Sequence, residues 1–294
     1  MSLDRVWVAP AGERAPPEEL LQLPGGQIAT AALALARLGH RVAWGGAVGG
    51  DAAGETALAP LRAAGVDLGD VRRIAAGRTR RALVRVDADS GEREIFPERD
   101  PRVVVAPEQL PLDRIRAARV LLVDAEDPEA TLAAVRHARG AGVLTVLDAD
   151  APVSELSRIC EFIDFPIVSR ALAEALGNGS VREGLQMLAQ GVTRLAVVTL
   201  GAEGCLAVAP GGGPVISSPG FEVDVRDTTG AGDAFHAGFV SALLEGRTFP
   251  AALRFANAVA ALNCAGLGAQ AGLPSRRAVE GFLVARSSAG EELA

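Results

Sequence analysis

Lysine and tyrosine are both absent from this chain of 294 residues, so its 29 strongly basic side chains are all Arg. Without Lys there can be no P-loop, whose lysine reaches the β- and γ-phosphates. Schiff-base and pyridoxal chemistry, which need a Lys amine, are excluded as well. Any phosphate clamp must therefore use Arg, backbone amides or a metal. Cysteine is scarce: Cys160, Cys205 and Cys264 show neither metal-ligand spacing nor a pairing framework. They read as reduced thiols serving as small core residues. No apolar run is long enough for a membrane span, and the N-terminus lacks a charged-then-apolar signal pattern. The expectation is a soluble cytoplasmic protein with no membrane partner. A net charge of −7 and a pI near 5.2 argue against nucleic acid as a partner.

What is present is apolar and aliphatic. The chain is 49% hydrophobic but only 4% aromatic, so the core must be built mostly from Ala, Val and Leu. Its length suits one large α/β domain, or a domain with a small appendage. Arg5–Ala9 reads as a strand, residues 11–23 as a loop, and Ile28–Leu38 as an Ala/Leu-rich helix that follows Gly25-Gly26. Val42–Val48 reads as a strand and the stretch from Gly49 to Ala64 as a turn into a helix. Thr79–Val86 and Glu92–Phe96 form a predicted β-hairpin, strongly charged and outside the βα rhythm, hence a candidate lid. From about residue 103 the alternation is regular. Strands are predicted at Val120–Val123, Val143–Leu147, Phe165–Val168 and Leu195–Thr199, and helices near 128–139, 170–176, 181–190, 231–245, 250–265 and 275–286. Apolar strands joined by helices imply a mostly parallel sheet covered on both faces, a three-layer α/β arrangement. The tail from Ser287 reads as frayed.

The densest motif is Asp227-Thr228-Thr229-Gly230-Ala231-Gly232-Asp233-Ala234-Phe235. Before it, Phe221–Arg226 alternates apolar and polar, as a half-buried strand does. After it, Phe235, Phe239 and Leu243 recur at helical spacing. Glycines at a helix start offer free N–H groups and the positive end of the helix dipole to an anion. Asp233 falls in the same first turn. An anion seat beside a carboxylate suits phosphoryl transfer, with charge stabilisation and a base for the attacking hydroxyl. Helix capping is the competing explanation for Asp233. Other acids follow predicted strands: Asp124, Glu126 and Asp127, then Asp148 and Asp150. Ligands of such sheets bind beyond the carboxyl ends of strands. These carboxylates could bind sugar hydroxyls or hold Mg²⁺ through water, or be solvated caps. His236 reads as packing or capping.

These motifs resemble the PfkB, or ribokinase-like, carbohydrate kinase family over most of the chain. Asp227–Phe239 looks like its C-terminal signature. Gly25-Gly26 with Ala47-Val48-Gly49-Gly50-Asp51 and Gly54 is similar to its N-terminal one. Gly201-Ala202-Glu203-Gly204 resembles a nucleotide-proximal turn, and Ala256-Asn257 with Gly266–Gly272 an adenine-side helix and loop. The resemblance implies a single kinase domain over 1–294. Its lid would be formed by about 1–26 and 78–101, on an α/β core of 27–77 and 102–286. It implies ATP and Mg²⁺, with K⁺ as an activator, and a sugar as the small-molecule partner. Asp233 would be the catalytic base, with Gly230, Ala231 and Gly232 forming the anion hole. Asp4, Gly26, Gln27, Thr30 and Glu126 would contact the sugar. Asp148, Thr199, Gly201, Gly204 and Asn257 would face the nucleotide. Asp227, Thr229, Gly266, Gly268 and Gly272 would hold the monovalent ion.

Two positions depart from the family pattern. Thr30 stands where an Asn is usual, and one hydroxyl cannot repeat a carboxamide's contacts. Ser169-Arg170-Ala171-Leu172 replaces an Asn-x-x-Glu, with Glu174 nearby as a partial substitute; a similar Ser-basic pattern occurs in the ketohexokinase branch. The expectation is ATP-dependent phosphorylation of a sugar's primary hydroxyl, in a homodimer formed through the lid. The alternatives are a nucleoside kinase of the same superfamily, which would need an aromatic base clamp, and a non-catalytic sugar- or nucleotide-binding relative.

Overall fold

Residues 3–9, 20–87 and 93–291 are described by the computed structural model, with side chains over 21–84 and 96–287. The chain folds as two compact units. The first draws on Met1–Val104, Val223–Ala234 and Val259–Ala294, the second on Val105–Glu222 and Phe235–Ala258.

The first unit opens with strands β1 (Leu3–Ala9) and β2 (Leu20–Pro24), paired antiparallel. Helix α1 (Gln27–Arg37) follows. Its Ala and Leu content favours helix, and Ala29–Leu35 are all buried, which suits a helix enclosed on every side. Gly26, at its N-cap, has φ +99°, a backbone conformation that glycine adopts readily. Next come β3 (Gly46–Gly49), α2 (Ala52–Ala63) and β4 (Val71–Ile74), with β3 and β4 paired parallel. Asp51 caps α2 by accepting the Gly54 N–H at 3.0 Å. It also accepts the Thr79 N–H at 3.1 Å and hydroxyl at 2.5 Å, which joins the α2 entry to the chain leading into the next strand. Strands β5 (Arg81–Asp87) and β6 (Arg93–Glu98) are antiparallel. Together the four long strands make one sheet in the order β2-β1-β5-β6, with β1 parallel to β5. Ala82 and Val84 form its buried cluster, against Leu23 and Leu267.

The second unit is a six-stranded sheet in the order β12-β11-β10-β9-β8-β7. In chain order its elements are α3 (Leu112–Ala117), β7 (Val120–Val123), α4 (Pro128–Gly140), β8 (Leu144–Ala149), α5 (Leu156–Cys160), β9 (Phe165–Ser169), α6 (Arg170–Leu176) and α7 (Val181–Leu188). Then follow β10 (Ala196–Thr199), β11 (Cys205–Val208) and β12 (Ile216–Ser218). Strands β7 to β10 are parallel, and β11 reverses direction against β10. The continuous apolar runs of β8, β9 and β10 are buried, as a sheet covered on both faces requires. Val135, Leu147, Ile159, Ile163, Leu172 and Val198 lie in its main core, each worth about 1.5–3 kcal/mol on burial.

Helix α8 (Ala231–Leu244) contributes residues 231–234 to the first unit and the rest to the second. Helix α9 (Phe249–Asn263) contributes 259–263 to the first unit. Helix α10 (Arg276–Glu291) closes the described chain.

Four expectations are corrected. Phe221–Arg226 forms no strand, although its pattern alternates, because a strand needs a partner edge and this segment has none in any described sheet. Residues 20–23, expected as loop, belong to β2 because β1 supplies the pairing edge. Only Gly46–Gly49 of the expected 42–48 strand is paired, apart from a single bridge at Ala43. The chain beyond Ser287 continues as helix to Glu291 rather than fraying there. The expected hairpin turn at 88–91 lies outside the described residues.

Candidate functional site

In the first unit, the 227–233 turn is held by a buried carboxylate. Asp227 accepts the Thr229 N–H at 2.8 Å and the Gly268 N–H at 2.7 Å. The backbone N–H groups of Arg226 and Asp227 both donate to the Cys264 carbonyl, at 2.8 and 3.2 Å. So the motif is clamped to the end of α9 and to the 266–272 loop by backbone and carboxylate together. Gly230 then turns with φ +77°, and a Cβ there would meet the Ala269 carbonyl oxygen at 2.5 Å. Only glycine fits both the angle and the approach.

Helix α8 starts at the next residue. Ala234 N–H is already an in-helix donor to Gly230, and Ala231 N–H turns back to the Thr228 carbonyl at 3.2 Å. A Cβ on Gly232 would meet nothing within 4 Å. The first turn of a 14-residue helix carries the dipole's positive end, which suits an anion. Asp233 sits in that turn, half-buried.

The expected sugar-side residues belong to the same unit, except Glu126. Gly26 and Gln27 open α1. Thr30 is fully buried, and its hydroxyl accepts from Gln270 Nε2 at 3.3 Å. Asp4 lies in β1, opposite Leu23 on one side and Ala82 on the other; its side chain is outside the described residues. For the monovalent ion, Asp227 and Gly268 are in direct contact, and Gly266 packs against Gly272, where a Cβ would strike the Gly272 N at 2.2 Å. Thr229 Oγ1 is buried with no hydrogen-bond partner among the described residues. A buried carboxylate and, two residues on, an unsatisfied hydroxyl oxygen are the oxygen donors that a hard cation prefers. No group of three or more His, Cys, Asp or Glu among the described residues could form a metal centre by itself.

The second unit holds the remaining acids. Asp124 and Glu126 follow β7, and Glu126 is exposed. The Glu126 N–H and the Asp124 carboxylate form a local turn at 3.1 Å. Asp148 ends β8 and is buried; burial first, then the charges of Asp150 and Asp124, push its carboxyl well above the ordinary range. Oδ2 of Asp148 lies 3.5 Å from Nδ1 of buried His236, whose Nε2 is 3.3 Å from the Ile167 carbonyl. Burial at this contact favours the protonated form of the carboxyl. His236 thus ties α8 to β8 and β9.

Thr199 ends β10, its hydroxyl donating to Val168 at 3.4 Å. Gly201 and Gly204 bound a 3-10 turn in which Gly204 has φ +92° and a Cβ would meet Ser218 O at 2.2 Å. Ser169, where the family pattern has Asn, caps α6 through the Leu172 N–H at 3.2 Å. Arg170 reaches across to the Leu200 carbonyl at 3.4 Å and pairs with Glu203. Sequence reasoning missed that tie. Asn257 is buried, and its amide is engaged by Ser218 and Pro219 at 3.0–3.1 Å. Asn263 and Gln270 were also missed; no sequence spacing points to them, since both act through contacts of the folded chain.

Comparison with known proteins agrees with this architecture. The model of the pfkB family of carbohydrate kinases matches residues 3–276. The chain is 34% identical over 278 residues to an ATP-dependent ribose-1-phosphate kinase of Halopiger xanaduensis, covering 90% of this chain and 88% of that one. It is 32% identical over 273 residues to a ribokinase of Haemophilus influenzae, covering 88% and 87%. Among solved structures, the Arabidopsis thaliana ribokinase complexed with ribose and ATP superposes with a TM-score of 0.80 at 26% identity, covering 96% of each chain.

Proposed function

The chain belongs to the pfkB family of carbohydrate kinases and is an ATP-dependent sugar kinase; from that premise we propose which residues do the work. Asp233 is the general base. One observation carries this: the acid stands in the first turn of α8, directly after a glycine turn that only Gly230 can make. The sugar's primary hydroxyl oxygen bonds to the γ-phosphorus as the bond to the β–γ bridging oxygen breaks. The hydroxyl proton passes to the Asp233 carboxylate, and ADP leaves. Backbone N–H groups of residues 230, 232 and 233 stabilise charge on the phosphoryl oxygens, a contribution of about 2.7–4 kcal/mol per well-placed donor, while Ala231, whose N–H turns back to Thr228, shapes the seat.

Mg²⁺, when bound with ATP, neutralises phosphate charge. Gly26, Gln27, Thr30, Asp4 and Glu126 are the proposed sugar residues, and Asp148, Thr199, Gly201, Gly204 and Asn257 the nucleotide residues. For Thr30 and Asn257, whose polar atoms are engaged within the protein, the role is to shape the wall rather than to donate. A K⁺ ion held near Asp227, Thr229, Gly266, Gly268 and Gly272 would act as activator. The four-stranded sheet, with the flanking segments of about 1–26 and 78–101, is the proposed lid, and one face of it the proposed dimer contact. No helix among the described residues is long and apolar enough to cross a membrane. The absence of a disulfide at Cys160, Cys205 and Cys264 and the use of ATP suit the cytoplasm. The acidic net charge disfavours a nucleic-acid partner.

A coupled ADP-release screen over pentoses, hexoses, their phosphates and nucleosides, with and without K⁺, tests the substrate. Asp233→Asn tests the base: kcat is expected to fall 10²–10⁴-fold, and survival within tenfold would remove Asp233 from that role.

A further inference from the structure

Asn263, the last residue of α9, is completely buried. Its side-chain amide donates to two backbone carbonyls at once, Thr229 at 3.3 Å and Ala269 at 3.2 Å. The orientation of the carboxamide follows from chemistry: reversed, it would set Oδ1 against two carbonyl oxygens. Asn263 Oδ1 itself is buried with no donor among the described residues, so the side chain is retained here for its two N–H groups. The segments it joins already touch, since the missing Cβ of Gly230 leaves the room in which Ala269 lies.

We infer that Asn263 is the positioning residue of the anion seat, aiming the Gly230 N–H by gripping the Thr229 carbonyl. The link is the peptide plane. A trans peptide holds its C=O and N–H in one plane, pointing opposite ways. Thr229 O and Gly230 N–H belong to the same peptide. Fixing the oxygen therefore fixes the direction of the N–H and the plane from which the positive-φ turn into α8 begins. Asp227 holds the other side of Thr229 through its N–H. With the peptides on both sides of Thr229 anchored, the donors are preorganised before any phosphate arrives. Asn263 itself touches no reactant. This inference rests on the kinase reading for its effect on rate, and on geometry alone for its effect on the turn.

The test uses the full chain with Asn263→Ala, which removes both donors, and Asn263→Ser, which keeps one. In Asn263→Ala, kcat per folded molecule is expected to fall at least thirtyfold, with KM for ATP and sugar within threefold of the parent; Asn263→Ser should fall between. Hydrogen exchange of segment 227–235 should speed up at least tenfold in Asn263→Ala, while that of β8 and β9 is unchanged. The proposal is overturned if kcat per folded molecule stays within threefold, if KM rises as much as kcat falls, if exchange of 227–235 is unaltered, or if both variants lose the global fold. A parent that phosphorylates no sugar would sink the kinase reading instead, and the exchange result would still decide the role of Asn263.

Discussion

The carboxylate of Asp227 accepts the backbone N–H of Gly268, 41 residues further along, at 2.7 Å. The same side chain closes a local turn through Thr229 N–H. One buried acid thus binds the glycine turn that precedes α8 to the 266–272 loop, and the first unit's candidate site depends on it.

Replacing Asp227 by Ala leaves two buried N–H groups without acceptors. Hydrogen bonds to a charged group are worth about 1.5–3 kcal/mol each. Asp227→Ala is expected to lower unfolding free energy by about 3 kcal/mol or more, read from the urea midpoint at an unchanged m-value.

Gly230 and Gly232 should respond in opposite ways to a methyl group. Gly230→Ala places a Cβ 2.5 Å from a carbonyl oxygen at φ +77°. Stability should drop by about 1–3 kcal/mol, and kcat with it. Gly232→Ala meets open space in a helical turn. That variant should gain up to about 1 kcal/mol of stability, yet lose kcat at least tenfold if the space is where the phosphoryl group sits. Thermal melts beside kinetics separate the two effects.

For Asp148 the sign of the pH dependence is set by burial. Its carboxyl is pushed up by burial and by Asp150 and Asp124, with His236 Nδ1 3.5 Å from Oδ2. Above the ordinary value of 3.8, the unfolded state ionises while the folded state keeps its proton. Stability from this group is then complete at low pH and declines as pH rises toward the folded-state pKa. Isosteric Asp148→Asn removes the decline, so its unfolding midpoint should gain on the parent as pH rises above 3.8. A parallel pair of curves would contradict the raised pKa.

Burial raises Cys205 to about 12, partly offset by Asn257 and Ser218, and Cys160 to about 11. At pH 8 about one thousandth or less of either is thiolate, the reactive form. Neither should react with a disulfide reagent over minutes in the native protein, and both should do so once urea unfolds it.

Much of this protein was legible from local pattern. Apolar runs such as Phe165–Val168 forced buried parallel strands, because such runs are stable only when both faces are covered. Missing lysine left backbone amides, Arg or a metal for phosphate, and Asp227–Phe235 supplied glycines and an acid at a helix start. Tertiary structure alone decided what depends on a distant partner. Phe221–Arg226 alternates like a strand but meets no edge of a described sheet, whereas residues 20–23, which read as loop, meet β1. Asp148 reads as one more strand-end acid, yet burial beside two other carboxylates raises its pKa. Asn263 and Gln270 carry no motif; only folding brings one to Thr229 and the other to Thr30. Periodicity and turn chemistry act over a few residues and can be read along the chain. Strand pairing, desolvation and hydrogen bonds between remote segments exist only after the chain has closed on itself.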